Sequence, residues 1–368
     1  MKNHIKNSNF TTFYKLNKKN LVKSFLKVFR SGNYILSNEV RNFEKRFARY
    51  FNVKFCISLA NGTDAIEIAL RACGIKKNNL VATAANAGMY TTTAALLIGA
   101  KPIYVDVDYN TNSINYKETC KAISKGAKAI VITHLYGLAN PDIEKIAQIC
   151  SKKKVFLIED CAQAHGAKVG KKFVGSFGDV GTFSFYPTKN LGALGDGGAI
   201  ITNKISIARI ALKLRQYGWS KKYEISIPGG RNSRLDEIQA SFLSELLLNL
   251  NKLNEKRRSI ANFYSKMIQN KNIITPKQQG TNFVAHQYVI KTNKRNSLIK
   301  YLNKFNIDSA ILYPIPDHKQ AILKKNYSEI ILKNTEKLSK EVLSIPCHPY
   351  LKSKEIKKIL KVLNTWRK

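Results

Sequence analysis

The sequence GDVGTFSFYPTKNLGALGDGGAIIT, residues Gly178 to Thr202, joins a predicted strand to one lysine and a glycine-rich loop. Apolar residues surround Thr182 and Ser184 in its first part, which predicts a buried strand that ends before Pro187. Lys189 comes next, and the loop after it contains four glycines that allow a flat ligand to approach the backbone. The stretch therefore places one amine at the end of a buried strand.

Lys189 is in a position that suits covalent chemistry by an amine. Burial among apolar neighbours lowers the pKa of a lysine and leaves its lone pair free to form a Schiff base. The alternative is a surface lysine in a glycine-rich turn, because the chain has 62 Lys and Arg residues. The interpretation of this stretch therefore depends on the rest of the chain.

The length and composition of the chain indicate an ordinary soluble protein. A chain of 368 residues predicts a large domain and a smaller one. Hydrophobic residues make up 44% and charged residues 23%, and the apolar runs are too short and interrupted to cross a bilayer. The N-terminal sequence lacks the apolar core of a signal peptide. We therefore expect a cytoplasmic protein without a membrane partner.

The chain is strongly basic, with a formal net charge of +38. A basic chain can bind nucleic acid, an anionic membrane or a phosphorylated substrate. Its lysines are scattered, and the sequence contains no helix-turn-helix, zinc-finger or aromatic-basic RNA motif. The six cysteines lie far apart with no CxxC pair, which predicts reduced cysteines and no metal site. We therefore expect no nucleic-acid partner, and an anionic substrate fits the charge equally well.

Apolar stretches alternate with amphipathic ones along the first half of the chain. The predicted strands cover residues 55–59, 80–85, 101–108, 127–137 and 155–160, with helices between most of them. Nearly continuous apolar strands between helices predict a mostly parallel α/β sheet covered on both faces. Ligands of such sheets bind at the carboxyl ends of the strands. Four residues of interest lie at or just beyond such ends: Gly62, Asp160, Ser184 and Lys189.

The turn at Asn61, Gly62 and Thr63 leads from the first predicted strand directly into a helix. A helix N-terminus offers unpaired backbone N–H groups and the positive end of its dipole to a phosphate. The alternative is that Asn61 and Thr63 only form the turn and cap the helix. The turn is therefore a candidate phosphate site whose assignment needs the neighbouring residues.

The flanks of this sheet complete the predicted organisation. Residues up to about Val28 are interpreted as a mobile arm and a first helix, and Ser37 as the cap of the next helix. Residues 235–268 are predicted to form one long helix that bridges two domains, followed by a smaller α/β unit. The predicted domains are a large ligand-binding domain with the N-terminal arm, 1–245, and a small C-terminal domain with the bridging helix, 246–368.

The ordered motifs of the chain resemble those of the DegT/DnrJ/StrS sugar-nucleotide aminotransferases, from about Ile35 to the C-terminus. The motifs occur in the order NGTDAI, GAKPIYVDVD, HLYG, EDCAQAHGA, FSFYPTKNLGALGDGG, GGRNSRLDEIQAS, YPIPDHKQ and LSIPCHP. The resemblance implies the type I fold of pyridoxal-phosphate enzymes, like that of aspartate aminotransferase. This fold has a mostly parallel seven-stranded sheet and a smaller C-terminal α/β domain.

The resemblance also implies roles for individual residues around pyridoxal 5′-phosphate. Lys189 matches the Schiff-base lysine, and Asp160 matches the carboxylate that pairs with the pyridine nitrogen. Gln163 matches a position near the ring face or phenolic oxygen, and Ser184 matches part of the phosphate site. Gly62 and Thr63 match the rest of that phosphate site, and Asn232 matches an asparagine that reaches it from the other subunit. A homodimer with shared active sites is therefore expected.

One position departs from the pattern of many family members. They place an aromatic ring over the cofactor from a Thr-Phe pair, where this chain has Ala87 and Gly88. Met89 and Tyr90 follow, and Tyr90 is the better candidate for the stacking ring. The stretch NAGMY also resembles the subgroup that acts on 3-keto sugars attached to dTDP, which favours amination at C3 over C4.

Candidate substrate residues come from the same resemblance. Tyr186 and His318 match positions near the hexose, whereas Arg231 with Lys221 and Lys222 could contact the diphosphate. Each has a structural alternative: packing on the cofactor side for Tyr186, a loop histidine for His318, and a solvated basic loop for the others. These assignments therefore stay open at the level of sequence.

The implied reaction moves an amino group from glutamate to a nucleotide-linked keto-deoxyhexose, most consistently C3 of a dTDP-3-keto-6-deoxyhexose, in deoxyamino sugar biosynthesis. The alternatives are C4 amination of a UDP- or dTDP-linked sugar, a regulatory protein that binds the cofactor without turnover, and a basic nucleic-acid-binding protein. Relatives that dehydrate sugars replace the lysine with histidine, so Lys189 favours transamination. A Rossmann dehydrogenase is disfavoured because no GxGxxG turn follows an early strand.

Overall fold

The computed structural model describes residues 4–277, 280–327 and 329–367. The strands are β1 (Phe55–Leu59), β2 (Leu80–Ala84), β3 (Lys101–Val105), β4 (Ala129–Thr133), β5 (Phe156–Asp160), β6 (Lys168–Val169), β7 (Lys172–Phe173), β8 (Val180–Ser184), β9 (Gly198–Thr202), β10 (Trp219–Lys221), β11 (Glu224–Ile225), β12 (Tyr288–Lys291) and β13 (Val342–Ile345). The helices are α1 (Phe10–Ser31), α2 (Asn38–Phe51), α3 (Gly62–Ala72), α4 (Tyr90–Leu97), α5 (Tyr116–Ser124), α6 (Ile143–Lys152), α7 (Ile205–Leu214), α8 (Glu237–Leu247), α9 (Leu250–Met267), α10 (Arg295–Lys304), α11 (Lys324–Tyr327), α12 (Lys333–Glu341) and α13 (Ser353–Thr365).

Seven strands form the main sheet in the order β1-β9-β8-β5-β4-β2-β3. Strand β9 runs antiparallel to both of its neighbours, and the other neighbouring pairs are parallel. Strands β1, β5 and β8 therefore end at the same edge of the sheet. The predicted mostly parallel seven-stranded α/β sheet is confirmed, because strands buried on both faces need apolar residues at nearly every position.

Helices cover both faces of this sheet, as its apolar strands require. Consecutive residues of β5 point to opposite faces: Leu157 packs with helices α5 and α6, and Ile158 packs with α3 and α7. On the first face, α2 contributes a row of aromatic rings against β8, with ring centroids 5.1 Å apart for Phe47 and Phe183. Burying one such ring contributes roughly 1.5–3 kcal/mol to the stability of the fold.

Ser37 is the N-cap of α2 as predicted, but a different residue accepts the backbone N–H groups at the start of this helix. The side chain of Ser37 makes no capping hydrogen bond. Instead, the buried carboxylate of Glu237 accepts the N–H groups of Ser37 at 2.6 Å, Glu39 at 2.7 Å and Val40 at 3.0 Å. A negative charge at a helix N-terminus also interacts favourably with the helix dipole. Glu237 therefore joins the start of α8 to the start of α2.

The prediction of a single long helix over residues 235–268 is wrong. The segment forms two helices, α8 and α9, which are separated at Leu248 and Asn249. Helix α8 packs into the large core beside β8, whereas α9 contributes Ile260 and Tyr264 to the core formed with the C-terminal elements. The change of packing partner, rather than a proline or glycine, ends the first helix, and Leu248 is left 69% exposed.

Several predicted strands are shorter than expected, because polar groups after them form caps and turns. Strand β3 ends at Val105, and Asp106 accepts the N–H groups of Asn334 and Thr335 at the start of α12. Strand β4 ends at Thr133, and a 3₁₀ turn over Leu135–Gly137 follows. Asp106 therefore caps α12, whereas Asp108 accepts the N–H groups of Asn110 and Thr111 in the turn after it.

A second core surrounds the antiparallel pair β12 and β13, with α9, α10 and α13 around it. Ile5, from the predicted mobile arm, is 3% exposed in this core and pairs with Ile307. The described start of the chain is therefore anchored to the C-terminal elements. The division into 1–245 and 246–368 stays a prediction. Within the described part of the chain, every helix is too short or too polar to span a membrane.

Candidate active site

A cavity of about 500 Å³ lies at the carboxyl-end edge of the main sheet. Most of the site residues predicted from the sequence line it: Gly62, Thr63, Tyr90, Asp160, Gln163, Ser184, Tyr186 and Lys189. They come from the ends of β1, β5 and β8 and from the start of α4. The remaining three, Arg231, Asn232 and His318, are outside the lining. The topology thus brings distant sequence motifs to one cavity.

Lys189 follows β8 after the break at Pro187, and its backbone N–H donates to the Tyr186 carbonyl at 2.8 Å. Its side chain is surrounded by protein on most sides but borders the cavity. Burial lowers the pKa of Lys189, whereas the negative charge of Asp160 acts in the opposite direction. Burial thus favours the uncharged amine, which is the form that attacks carbonyl groups.

Asp160 ends β5 and is 4% exposed. Its Oδ1 accepts the N–H of Ala162 at 3.0 Å, and its Oδ2 accepts the hydroxyl of Thr133 at 3.2 Å. Burial raises the pKa of this carboxyl group, and those two hydrogen bonds and Lys189 only partly oppose the shift. A cation placed in the cavity beside Asp160 would compensate its charge, as a protonated pyridine nitrogen does.

The start of α3 forms the end of the cavity that suits an anion. The Asn61 side chain caps the helix by accepting the Asp64 N–H at 2.8 Å. The N–H groups of Gly62 and Thr63 have no acceptor among the residues that the structure describes. A Cβ at residue 62 would lie 2.7 Å from the Ser184 Cβ, so only glycine leaves this approach open. These groups fit a phosphate.

Gln163 joins two parts of the cavity wall. Its Oε1 accepts the N–H of Tyr136 at 2.7 Å, and its Nε2 donates to the hydroxyl of Tyr313 at 2.9 Å. The Tyr313 ring occupies the space that a side chain at Gly88 would need. Tyr90 lines the cavity and meets Tyr313 edge to face, with ring centroids 6.2 Å apart. Both Tyr90 and Tyr313 therefore line the part of the cavity for which the sequence indicated only Tyr90.

The three predicted residues outside the lining contact other parts of the chain. Arg231 forms ion pairs with Asp64 and Glu67 of α3, and Asn232 is exposed on the adjoining segment. His318 is fully buried, and its Nε2 lies 3.0 Å from a carboxylate oxygen of Glu336. Within this chain, Arg231 and His318 therefore have protein partners of their own.

The lining residues that were not singled out from the sequence include His286, Gln287 and Tyr313. Tyr313 lies in the quoted motif YPIPDHKQ, which was the available indication for it. His286 and Gln287 precede β12, in a stretch that the sequence indicates only as a strand. They reach the cavity because this segment packs directly against Gly137. A Cβ added at Gly137 would lie only 2.9 Å from the His286 backbone nitrogen.

A buried group of His134, Glu159 and Cys161 lies close together below the cavity edge. The Nδ1 of His134 accepts the Asn140 N–H at 3.0 Å, so its Nε2 carries the proton and donates to Glu159 at 3.0 Å. Glu159 also accepts backbone N–H groups from residues 175, 177 and 178. With its lone pairs used in this way, the group supports the fold rather than a metal ion.

Residues 15–364 match the model of the DegT/DnrJ/EryC1/StrS aminotransferase family. The dTDP-3-amino-3,6-dideoxy-α-D-galactopyranose transaminase of Aneurinibacillus thermoaerophilus is 41% identical over 352 residues, covering 95% of each chain. A pleiotropic regulatory protein of Geobacillus stearothermophilus is 39% identical over 347 residues, 93% of each chain. The solved structure of S. venezuelae DesV with a ketimine intermediate has a TM-score of 0.95 at 29% identity, covering 99% of this chain and 98% of that one.

These findings confirm the predicted family, type I fold, aminotransferase activity and cofactor. The cavity fits pyridoxal phosphate, because a lysine with a lowered pKa, a buried carboxylate and the open start of α3 border the same space. The chain belongs to the DegT/DnrJ/EryC1/StrS family of pyridoxal-phosphate-dependent aminotransferases.

Proposed function

We propose that this enzyme transfers the amino group of glutamate to C3 of a dTDP-linked 3-keto-6-deoxyhexose. The observation that carries the proposal is the convergence of Lys189, Asp160 and the open N-terminus of α3 on one cavity. The stretch NAGMY and the name of the relative with 41% identity support C3 amination of a dTDP sugar. The net charge of +38 suits a diphosphate substrate.

We assign the residues of the cavity as follows. Gly62, Thr63 and Ser184 would hold the phosphate of the cofactor, and Asp160 would hold a proton on its ring nitrogen. Pyridoxal phosphate, when bound, supplies a ring that withdraws the electron pair left when the amino donor loses its Cα proton. The Nζ of Lys189 takes that proton, because burial favours its uncharged form. Tyr186, 52% exposed at the cavity, would contact the hexose.

The main alternative is amination at C4 of a UDP- or dTDP-linked 4-keto sugar. The test is to incubate the enzyme with glutamate and each keto sugar, and to locate the new amine in the product by NMR. We expect turnover with the dTDP-3-keto sugar and an amine at C3. An amine at C4, or turnover with 4-keto sugars alone, would contradict the proposal.

We also propose that the enzyme works in the cytoplasm, because its six unpaired cysteines suit a reducing compartment.

Replacing Gly62 with alanine should weaken the binding of pyridoxal phosphate at least about tenfold, because the new methyl group would overlap Ser184 and close the approach to the N–H groups of α3. Dialysis followed by a titration of the apoprotein with the cofactor measures this affinity. Gly195→Ala is the matched control, because its Cβ would meet only the flexible end of Gln239. An unchanged affinity in Gly62→Ala would remove α3 from the proposed phosphate site.

We further propose a homodimer in which Asn232 contacts the phosphate bound by the partner subunit. Asn232 is exposed and outside its own cavity, as such a role requires. Asn232→Asp should inactivate the enzyme, because a carboxylate would repel the phosphate. Mixing inactive Asn232→Asp and Lys189→Ala subunits should restore about a quarter of the wild-type activity, because a two-fold heterodimer retains one intact site. No recovery on mixing would indicate that Asn232 acts within its own chain.

A further inference from the structure

A chain of side-chain amides runs behind the cavity from α9 to His286. Asn254 of α9 is 1% exposed, and its Nδ2 donates to the carbonyl of His165 at 2.7 Å. Asn190, the residue after Lys189, donates its Nδ2 to the Oδ1 of Asn254 at 2.8 Å and to the carbonyl of Val284 at 3.0 Å. The Oδ1 of Asn190 then lies 3.2 Å from the Nδ1 of His286. The chain of amides thus ends at a residue that lines the cavity.

The two backbone carbonyls fix the orientation of both amides. A carbonyl oxygen only accepts hydrogen bonds, so Asn254 must direct its NH₂ group to His165. Its oxygen therefore faces Asn190, which must donate a hydrogen bond from its own NH₂ group. The second hydrogen of that NH₂ group donates to Val284. Reversing either amide would place oxygen against oxygen in a buried region and leave polar groups without partners, which is unfavourable.

This order determines which nitrogen of His286 carries the proton. The Oδ1 of Asn190 can only accept, so the Nδ1 of His286 is the donor. In the neutral ring, Nε2 therefore has a lone pair. His286 is 6% exposed, and burial together with the positive charge of Arg257 holds its pKa well below the usual value. The ring thus stays neutral with its proton on the side away from Nε2.

Among the residues that the structure describes, the side chain of His286 forms a hydrogen bond only through Nδ1, so its Nε2 has no partner there. The residue borders the same cavity as Lys189 and Asp160. A neutral nitrogen with a fixed lone pair attracts polar hydrogens and repels carboxylate oxygens. This acceptor is therefore available to a bound ligand.

We propose that His286 is a substrate-selecting residue whose Nε2 accepts a hydrogen bond from a polar hydrogen of the substrate. The hydrogen belongs either to a hydroxyl group of the hexose or to the ammonium group of the amino donor. Asn190 and Asn254 act as positioning residues, because they fix the ring and its proton. The proposal rests on the proposed transamination for its substrates, but the state of the ring is independent of them.

The first test is ¹⁵N NMR of the histidine rings in the full-length protein. We expect the His286 ring, assigned by its loss in His286→Gln, to be neutral with the proton on Nδ1 across the neutral pH range. Asn190→Ala should release this preference and give a mixture of both tautomers. A proton on Nε2, or a ring that becomes charged near neutral pH, would overturn the proposal whatever the sugar substrate is.

The second test separates the two sources of the hydrogen. His286→Leu removes the acceptor, whereas His286→Gln retains one, and thermal unfolding shows whether both variants fold. For His286→Leu we expect a loss of about 10- to 100-fold in one half-reaction only, with partial recovery in His286→Gln. A loss confined to the keto-sugar step identifies a hydroxyl, and one confined to the glutamate step identifies the ammonium. Equal losses in both half-reactions for both variants, or no loss, would overturn the proposal.

Discussion

Replacing Lys189 with alanine should lower the rate of transamination by about 10⁴-fold or more, while the protein still folds. The substitution removes the amine that we propose forms the covalent bond to the cofactor and takes the proton of the amino donor. The side chain borders a cavity rather than filling a core, so the loss of packing is small. Initial rates with glutamate and keto sugar, together with a thermal unfolding curve, measure both effects.

Two further variants separate the chemistry of Lys189 from its charge. Lys189→Arg keeps a positive charge but has no uncharged amine at accessible pH, so it should be as inactive as Lys189→Ala. Lys171→Ala, at an exposed lysine between β6 and β7, should have wild-type activity. Substantial turnover in Lys189→Arg would mean that another residue provides the amine.

Asp160→Asn should reduce the rate by about 10²- to 10³-fold, the usual effect of removing one group that stabilises charge in a reaction. A neutral amide cannot hold a proton on the ring nitrogen, so the electron pair released at the donor Cα is less stable. The variant should still bind the cofactor through the phosphate end of the cavity. Rates of the glutamate half-reaction, followed by the absorbance of the cofactor, measure the change.

The control for Asp160→Asn is Thr133→Val, which removes the hydrogen bond to the Oδ2 of Asp160 but leaves the carboxylate. This loss should cost less than about tenfold in rate, because the Ala162 N–H still donates to the other oxygen. The comparison therefore separates the negative charge from the position of the side chain. Equal losses in the two variants would contradict the proposed role of the charge.

The sheet was predictable from the sequence because each strand is specified by a pattern of residues that are neighbours in the chain. Strands β4 and β5 are short, largely apolar runs between amphipathic helices, and this alternation is typical of parallel α/β sheets. The turn at Gly62 and the single lysine after β8 also lie in continuous motifs. Because parallel strands end at one edge, these motifs had to meet, and the structure places them around one cavity.

Other features depend on contacts between distant residues, which local patterns do not record. The break between α8 and α9 follows a change of packing partner within an uninterrupted apolar pattern. Glu237 caps α2 from 197 to 200 residues away, where the sequence indicated Ser37. A helix-capping residue of this kind carries no local sequence pattern, so only the fold reveals it.

The same reason explains which cavity residues were missed. Tyr313 and His286 lie near the C-terminal end of the chain and enter a site built mostly by residues between Asn61 and Asp196. Tyr313 fills the space left by Gly88, so a departure from the family pattern at one position is matched by a ring from another segment. The direction of the His286 lone pair depends on two amides and two carbonyls, and no single stretch of sequence contains them.

The most direct test of the account is to find the lysine that binds the cofactor. Borohydride reduction makes a bond between a lysine amine and pyridoxal phosphate permanent, and mass spectrometry of peptides then locates it. The account predicts that the label lies on Lys189 alone and is lost when glutamate is added before reduction. A label on another lysine, or a label that persists in Lys189→Ala, would contradict the central role of Lys189.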